Sequence, residues 1–275
     1  MDADTPRLSP GAWIAAGIDW VNANAHGASV ATADVIETVL DAVTTLLLFP
    51  APWLLIPLVA AAVLLAFGRN LALLTLACLG FCLASGLWKE AMQTIALVSV
   101  SVTVAVALSF PLGIFAARHR KVEAALRPVL DIMQTVPPWV YLIPAVMIFS
   151  LGKVPALLAT VIYGIPPMLR ITTLAFKEVP AELVELGRAS GATPLQILTK
   201  LELPAARKTL LVGLNQCILL SLAMVVLAGL VGGGGLGAEV TRGLTRMEMG
   251  LGLRAGLAIV AVAILLDRLS RRALE

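Results

Sequence analysis

The 17 carboxylates are the groups with which this sequence could move protons or bind a metal. Six of them, Asp2, Asp4, Asp19, Asp34, Glu37 and Asp41, precede the first long apolar segment. The other eleven fall in the stretches between apolar segments or at segment ends, and none reaches the middle of one. A carrier driven by protons commonly needs an acid within the membrane, because a group there must titrate or coordinate. Its absence argues against proton coupling and against an intramembrane aspartyl protease. A sodium site of carbonyls and hydroxyls stays compatible with the sequence. No HExxH occurs, which removes one metalloprotease class. Cys78, Cys82 and Cys217 lie in apolar runs without the spacing or partners of a metal site or a disulfide framework. Gly232-Gly233-Gly234-Gly235 is not followed by Lys-Ser/Thr, so it reads as a flexible breaker between two segments and not as a phosphate cradle. If solute moves uphill, the energy must come from a partner.

The stretch best suited to such a partner is KEVPAELVELGRASGATPLQILTKLELPAARK, Lys177 to Lys208. Pro180 opens a helix, Glu182 and Glu185 fall in its early turns, and Gly191 marks its end. Thr193-Pro194 starts a second helix, which Pro204 is expected to close. A helix–Gly–helix of this kind can serve as a rigid lever in a cleft of a soluble protein; a plain amphipathic surface hairpin would read the same way.

Composition supplies the setting. Hydrophobic residues make up 59% of the 275 and charged residues 13%, against about 25% charged in ordinary soluble domains. So few charges could not cover a soluble surface, and the chain reads as an all-α integral membrane protein. Seven spans of about 20 residues would use about 140 residues, leaving no room for a separate catalytic domain. The seven apolar segments run approximately over 50–68, 70–88, 92–117, 130–150, 154–174, 209–231 and 250–267. Pro57, Pro111, Pro137, Pro138, Pro144, Pro166 and Pro167 interrupt them, as bundles tolerate where neighbours satisfy the freed backbone groups. Ahead of them, Asp34 and Glu37 form a capping-box-like start. Ile36, Val39, Leu40, Val43 and Leu47 then follow helical spacing, which predicts an amphipathic helix along the membrane interface. Residues 1–48 thus form a tail and interfacial helix, 49–270 the membrane domain with its loop at 175–208, and 271–275 a C-terminal tail. Residues 1–31, with Trp13 and Trp20, allow a second interfacial helix.

Seven spans place the regions near 69, 118–128, 175–208 and the C-terminus on one side, with fourteen of the 20 Lys and Arg residues. That bias puts this side in the cytoplasm and the N-terminus outside. A net charge of +3, with no basic patch interleaved with aromatics, gives no sign of nucleic-acid binding.

The long loop resembles the EAA loop of ABC importer permeases: Glu-Ala-Ala, three residues, Gly, nine residues, Ile-x-Leu-Pro. Here Glu185, Gly191 and Leu203-Pro204 keep the spacing, while Leu186 and Gly187 replace the alanines and Leu201 the isoleucine. MQTVPPWVYLIPAVMIFSLG (133–152), IPPMLRIT (165–172), GLNQCILLSLAMVV (213–226), GGGLG (233–237) and ILLDRL (264–269) resemble the glycine betaine/proline betaine permease subfamily. The resemblance covers residues 40–270. It implies a type I importer fold and a subunit of the bacterial inner membrane that pairs with a second permease, expected as a homodimer. Two cytoplasmic ATPases and an extracytoplasmic binding protein complete the expected assembly. ATP and Mg2+ would belong to the ATPase, with no cofactor and no catalytic or metal site in this chain. Glu182, Glu185, Gly191, Ala192, Leu203 and Pro204 are then the expected coupling residues. Met133, Gln134, Pro137, Pro138, Trp139 and Tyr141, with Asn215, Ser221 and Met224, are the candidates for lining the pathway. Asn215 and Ser221 could equally bond between helices. The expected cargo is a quaternary or tertiary ammonium solute: glycine betaine, proline betaine, choline, carnitine or trimethylamine N-oxide. A carrier or channel acting alone, or an ABC permease for another small solute such as an amino acid, is the alternative.

Overall fold

The computed structural model describes residues 10–274 of the chain, with side chains over 15–272. Every element among them is helical. In order they are α1 (Pro10–Asn24), α2 (His26–Leu48), α3 (Pro52–Phe67), α4 (Arg69–Ala84), α5 (Trp88–Arg118), α6 (Arg120–Thr135) and α7 (Pro138–Phe149). Then follow α8 (Lys153–Lys177), α9 (Ala181–Ala189), α10 (Pro194–Ile197), α11 (Leu203–Leu230), α12 (Gly235–Thr245) and α13 (Met249–Leu274). A π-helical turn, Leu198–Glu202, joins α10 to α11.

The seven expected segments all become helix, but not seven full spans. Among the described residues four rods are long and apolar enough to cross a membrane: α5, α8, the continuous Pro194–Leu230 and Met249–Arg272. Two bent pairs, α2–α3 and α6–α7, raise the number to six if each pair is taken as one span. The expected span 130–150 is broken. Pro137 and Pro138 each lack an amide hydrogen, and the residue before a proline is pushed out of the α region. Val136 is extended at φ −68, ψ 128, and the helices turn by 95°. Residues 118–128, expected as loop, instead belong largely to the polar-faced helix α6.

The core lies where α5, α8 and α11 pack together, with Ala91, Met92, Val98, Ala105, Leu157, Cys217 and Val225 among its buried side chains. Buried small residues, Ala105, Ala156, Ala159 and Gly164, let the backbones approach closely, as they do in membrane bundles where apolar surface alone drives little association. Cys217 of α11 and Cys78 and Cys82 of α4 are buried as free thiols. The amphipathic helix expected at 34–48 is part of a longer one, α2. Its stripe turns Leu40, Ile36 and Leu47 to the main core, and Asp41 pairs with Lys153 at the start of α8. Residues 271–274, expected as tail, continue α13. Residues 1–9, the start of the expected tail, lie outside the described residues.

The Gly232–Gly235 run is not a loose linker. The amide of Gly235 donates to Gln93 Oε1 at 3.1 Å and that of Leu236 to Thr94 Oγ1 at 2.9 Å, while the Gly152 amide donates to the Val231 carbonyl at 2.8 Å. Side chains of α5 thus take up donors that open α12, an element the sequence left as loop. The run misled because glycine favours turns, whereas here it lets backbones touch.

Candidate functional site

The stretch Lys177–Lys208 folds into a compact projection held by its own backbone. Helix α9 ends in a complete left-handed cap. Ala192 N–H donates to Gly187 O at 3.0 Å and Gly191 N–H to Arg188 O at 3.0 Å, the two bonds of a Schellman motif. Gly191 has φ +74, a conformation that costs glycine nothing. Two residues later Thr193 opens the next helix with a capping box: its Oγ1 accepts from Gln196 N, and Gln196 Oε1 accepts from Thr193 N at 2.9 Å. One helix stops and another starts within four residues, with these end groups satisfied locally.

Pro204 does not close the second helix. The π turn allows the chain to pass through it: Leu203 N–H reaches back to Leu198 O, five residues away. A π-bulge takes in one extra residue and shifts the hydrogen-bond ladder at a point where a proline supplies no donor. The helix that begins at Pro194 therefore runs unbroken to Leu230, and a movement at its tip is a movement of the whole rod. Arg118 at the end of α5 pairs with Glu202 at 2.7 Å and ties the rod's base to the core.

Two of the three departures from the EAA pattern, Gly187 and Leu201, touch each other. Gly187 is buried, and a Cβ there would lie 2.7 Å from Leu201 Cδ1 and 3.1 Å from Ile197 Cγ1. The leucine reaches into the space that an alanine would fill. Gly187→Ala should therefore cost about 1 kcal/mol of loop stability, and Leu201→Ile should recover much of it. Thermal denaturation of the single and double variants measures the coupling; additive effects would show that the two positions are independent.

Glu182 and Glu185 are exposed on α9, and Leu186 on α9 and Leu195 on α10 are 62% and 68% exposed. Ala192 is half-buried behind them, and Leu203 is half-buried and Pro204 exposed at the rod's base. The tip thus offers carboxylates around two apolar knobs on a rigid support.

The pathway candidates divide in two. Met133, Gln134, Pro137, Pro138, Trp139 and Tyr141 cluster at the α6–α7 break, exposed or half-buried. Pro137 leaves the Met133 carbonyl without its usual helical donor, and the Tyr141 hydroxyl supplies one at 2.6 Å. Tyr141 also meets the Tyr163 ring of α8, centroids 6.5 Å apart. Asn215, Ser221 and Met224 lie inside the bundle. Asn215 accepts from Ser270 at 2.9 Å, Ser221 packs near Gly164, and Met224 is enclosed with Leu142 and Ala159.

Helix α6 is bound to α8 by charge. Lys177 and Arg127 both pair with Glu123, and Arg170 pairs with Asp131. In the first turn of α6, outside the apolar segments, the Lys177 and then the Arg127 hydrogen bonds hold the Glu123 carboxyl below its ordinary range. These pairs rim a concavity of about 480 Å³ between α5, α6 and α8. The two pairs that join α6 to α8 left no local signal in the sequence, because their partners lie 39 and 54 residues apart. No cluster of metal-binding side chains occurs among the described residues.

Residues 109–273 match the family described as "Binding-protein-dependent transport system inner membrane component". The chain is 41% identical to the glycine betaine transport system permease protein OpuAB of Bacillus subtilis, over 97% of this chain and 94% of that protein. It is 40% identical to the glycine betaine/proline betaine transport system permease protein ProW of Escherichia coli, over 94% of this chain and 73% of that protein. To the trimethylamine N-oxide transport system permease protein TmoV of Ruegeria pomeroyi it is 40% identical, over 86% of this chain and 38% of that protein. A chain of the inward-facing MetNI methionine ABC transporter shares the fold, with a TM-score of 0.56 at 23% identity over 68% of this chain and 92% of that one. The chain belongs to the binding-protein-dependent transport system inner membrane components.

Proposed function

We propose that this chain is the translocation subunit of an ATP-driven importer for quaternary and tertiary ammonium compatible solutes, of the glycine betaine, proline betaine and trimethylamine N-oxide type. The observation that carries the reading is the capped, rigid α9–α10 projection on a rod that continues through the bundle. A lever of that form suits docking in an ATPase. Glu182 and Glu185 with Leu186 and Leu195 form the docking tip; Gly191 and Ala192 set its angle; Leu203 and Pro204 join it to the rod.

The working assembly pairs two copies of this chain with two cytoplasmic ATPases, which hold ATP and Mg2+, and an extracytoplasmic binding protein. It sits in the bacterial cytoplasmic membrane with the N-terminus outside and the projection and C-terminus inside. This orientation is supported by the positive-inside bias once the shorter apolar helix α4 is counted as a seventh crossing beside the six. Met133, Gln134, Pro137, Pro138, Trp139 and Tyr141 face the route between the paired subunits. Asn215, Ser221 and Met224 set the shape of that wall from behind it. An aromatic cage for the ammonium group suits the binding protein, so the route itself needs little affinity.

Competition for uptake tests the cargo. In vesicles containing the whole assembly, labelled glycine betaine uptake should fall more than tenfold with excess proline betaine or trimethylamine N-oxide and stay unchanged with excess methionine. Competition by methionine alone would assign another substrate class.

A further inference from the structure

We propose that the turn between α3 and α4, together with the end of α13, forms a binding site for an anionic phospholipid headgroup. Arg69 and Asn70 from the turn and Arg268, Arg271 and Arg272 from α13 line a concavity of about 540 Å³. The four guanidinium groups come from elements about two hundred residues apart in sequence, and no acidic side chain is among the described residues that line it. Asp267, just behind, pairs with Arg271 at 3.1 Å. Gly68, at φ +93, reverses the chain in a single residue and carries no side-chain cap, so the first amides of α4 open toward the same place. Bidentate guanidinium groups around open helix amides suit a phosphate oxyanion.

The surroundings favour a lipid over a free phosphate. The floor of the concavity is apolar, made by Phe67, Leu71 and Leu74, with Leu269 packed close by. Below the turn, Leu64, Leu65, Leu73 and Leu76 of the α3–α4 hairpin are exposed, a surface for acyl chains. Depth adds a further reason. Helix α4 has 16 residues and rises about 24 Å, short of the hydrocarbon thickness of about 30 Å. The short hairpin draws Arg69 to the edge of the hydrocarbon, where a headgroup pulled inward meets it and the arginines of α13 and relieves the mismatch. Basic pockets between membrane helices hold anionic headgroups on the same physical grounds. This site is separate from the projection and the α6–α7 break, and it goes beyond the transport reading.

The test uses the complete assembled transporter and the lipid it retains through purification, with phosphatidylglycerol and phosphatidylcholine as probes in native mass spectrometry. The wild type should retain phosphatidylglycerol over phosphatidylcholine. The variant R69Q/R268Q/R272Q should retain at least fivefold less, while R69K/R268K/R272K keeps most of it. The control R120Q/K121Q, which removes two exposed charges outside the concavity, should bind as the wild type does. A photoactivatable phosphatidylglycerol applied to the unmutated complex should mark the 68–74 segment, which frees the test from any folding defect in a variant. Equal retention by the Gln variant, an equal loss in the R120Q/K121Q control, or photoadducts confined to other segments would overturn the proposal. Displacement of the lipid by millimolar inorganic phosphate would also overturn it, in favour of a soluble oxyanion site.

Discussion

Gly191→Pro will insert and assemble normally yet lose at least tenfold of its solute-stimulated ATP hydrolysis. Proline locks φ near −65°, whereas residue 191 sits at +74. The substitution also removes the amide that donates to Arg188 O, half of the cap that ends α9. The helix then has no stop at the right place, and Thr193 no longer begins the rod at the angle that its capping box requires. Gly191→Asn is the matching control, because asparagine tolerates the left-handed region better than other side chains; it should keep more than half of the stimulation. Glu185→Lys should lose coupling by another route, reversing a charge on the exposed tip without touching the backbone. Unchanged stimulation in Gly191→Pro and Glu185→Lys would remove the docking role from the projection.

The second large effect is expected at the other end of the rod. Helix α12 crosses α11 so closely that a Cβ on Gly237 would overlap the Val225 carbonyl, and one on Gly229 would overlap the backbone of Gly237. Both obstacles are main chain, which cannot swing aside as a side chain would. Gly237→Ala should therefore cost more than about 2 kcal/mol and lower the Tm of the purified protein by about 5 °C. Gly256→Ala, where nothing lies within 4 Å of the added carbon, should be neutral. A tolerated Gly237→Ala would mean that α12 does not pack against α11 in this way.

These two glycines show what could be read from sequence and what could not. Gly191 was legible, since a glycine between a helical run and Thr193-Pro194 marks a helix end by local chemistry alone. Gly237 was not, because its reason is a backbone 12 residues away across a helix crossing. Pro204 misled for a similar cause: a proline normally ends a helix, and only the π turn before it lets the rod continue. The weakness of the segment at Pro137-Pro138 was visible, but its 95° bend and the Tyr141 hydroxyl that supports it needed the fold. The apolar segments and the stripe on α2 came through periodicity, which neighbours in space do not alter. The ion pairs between α6 and α8, and the arginines gathered from residues 69 and 268–272, depend on chain reversals that no local pattern encodes.

Reconstitution tests the central claim most directly. The chain is placed in liposomes alone, and again with its ATPase, enclosed ATP and Mg2+, and binding protein outside, and labelled glycine betaine uptake is followed in both. Accumulation against a gradient only in the complete system, abolished when the binding protein or ATP is withheld, is the result expected of a lever-driven permease. Accumulation by the chain alone, driven by a sodium or proton gradient without ATP, would contradict it.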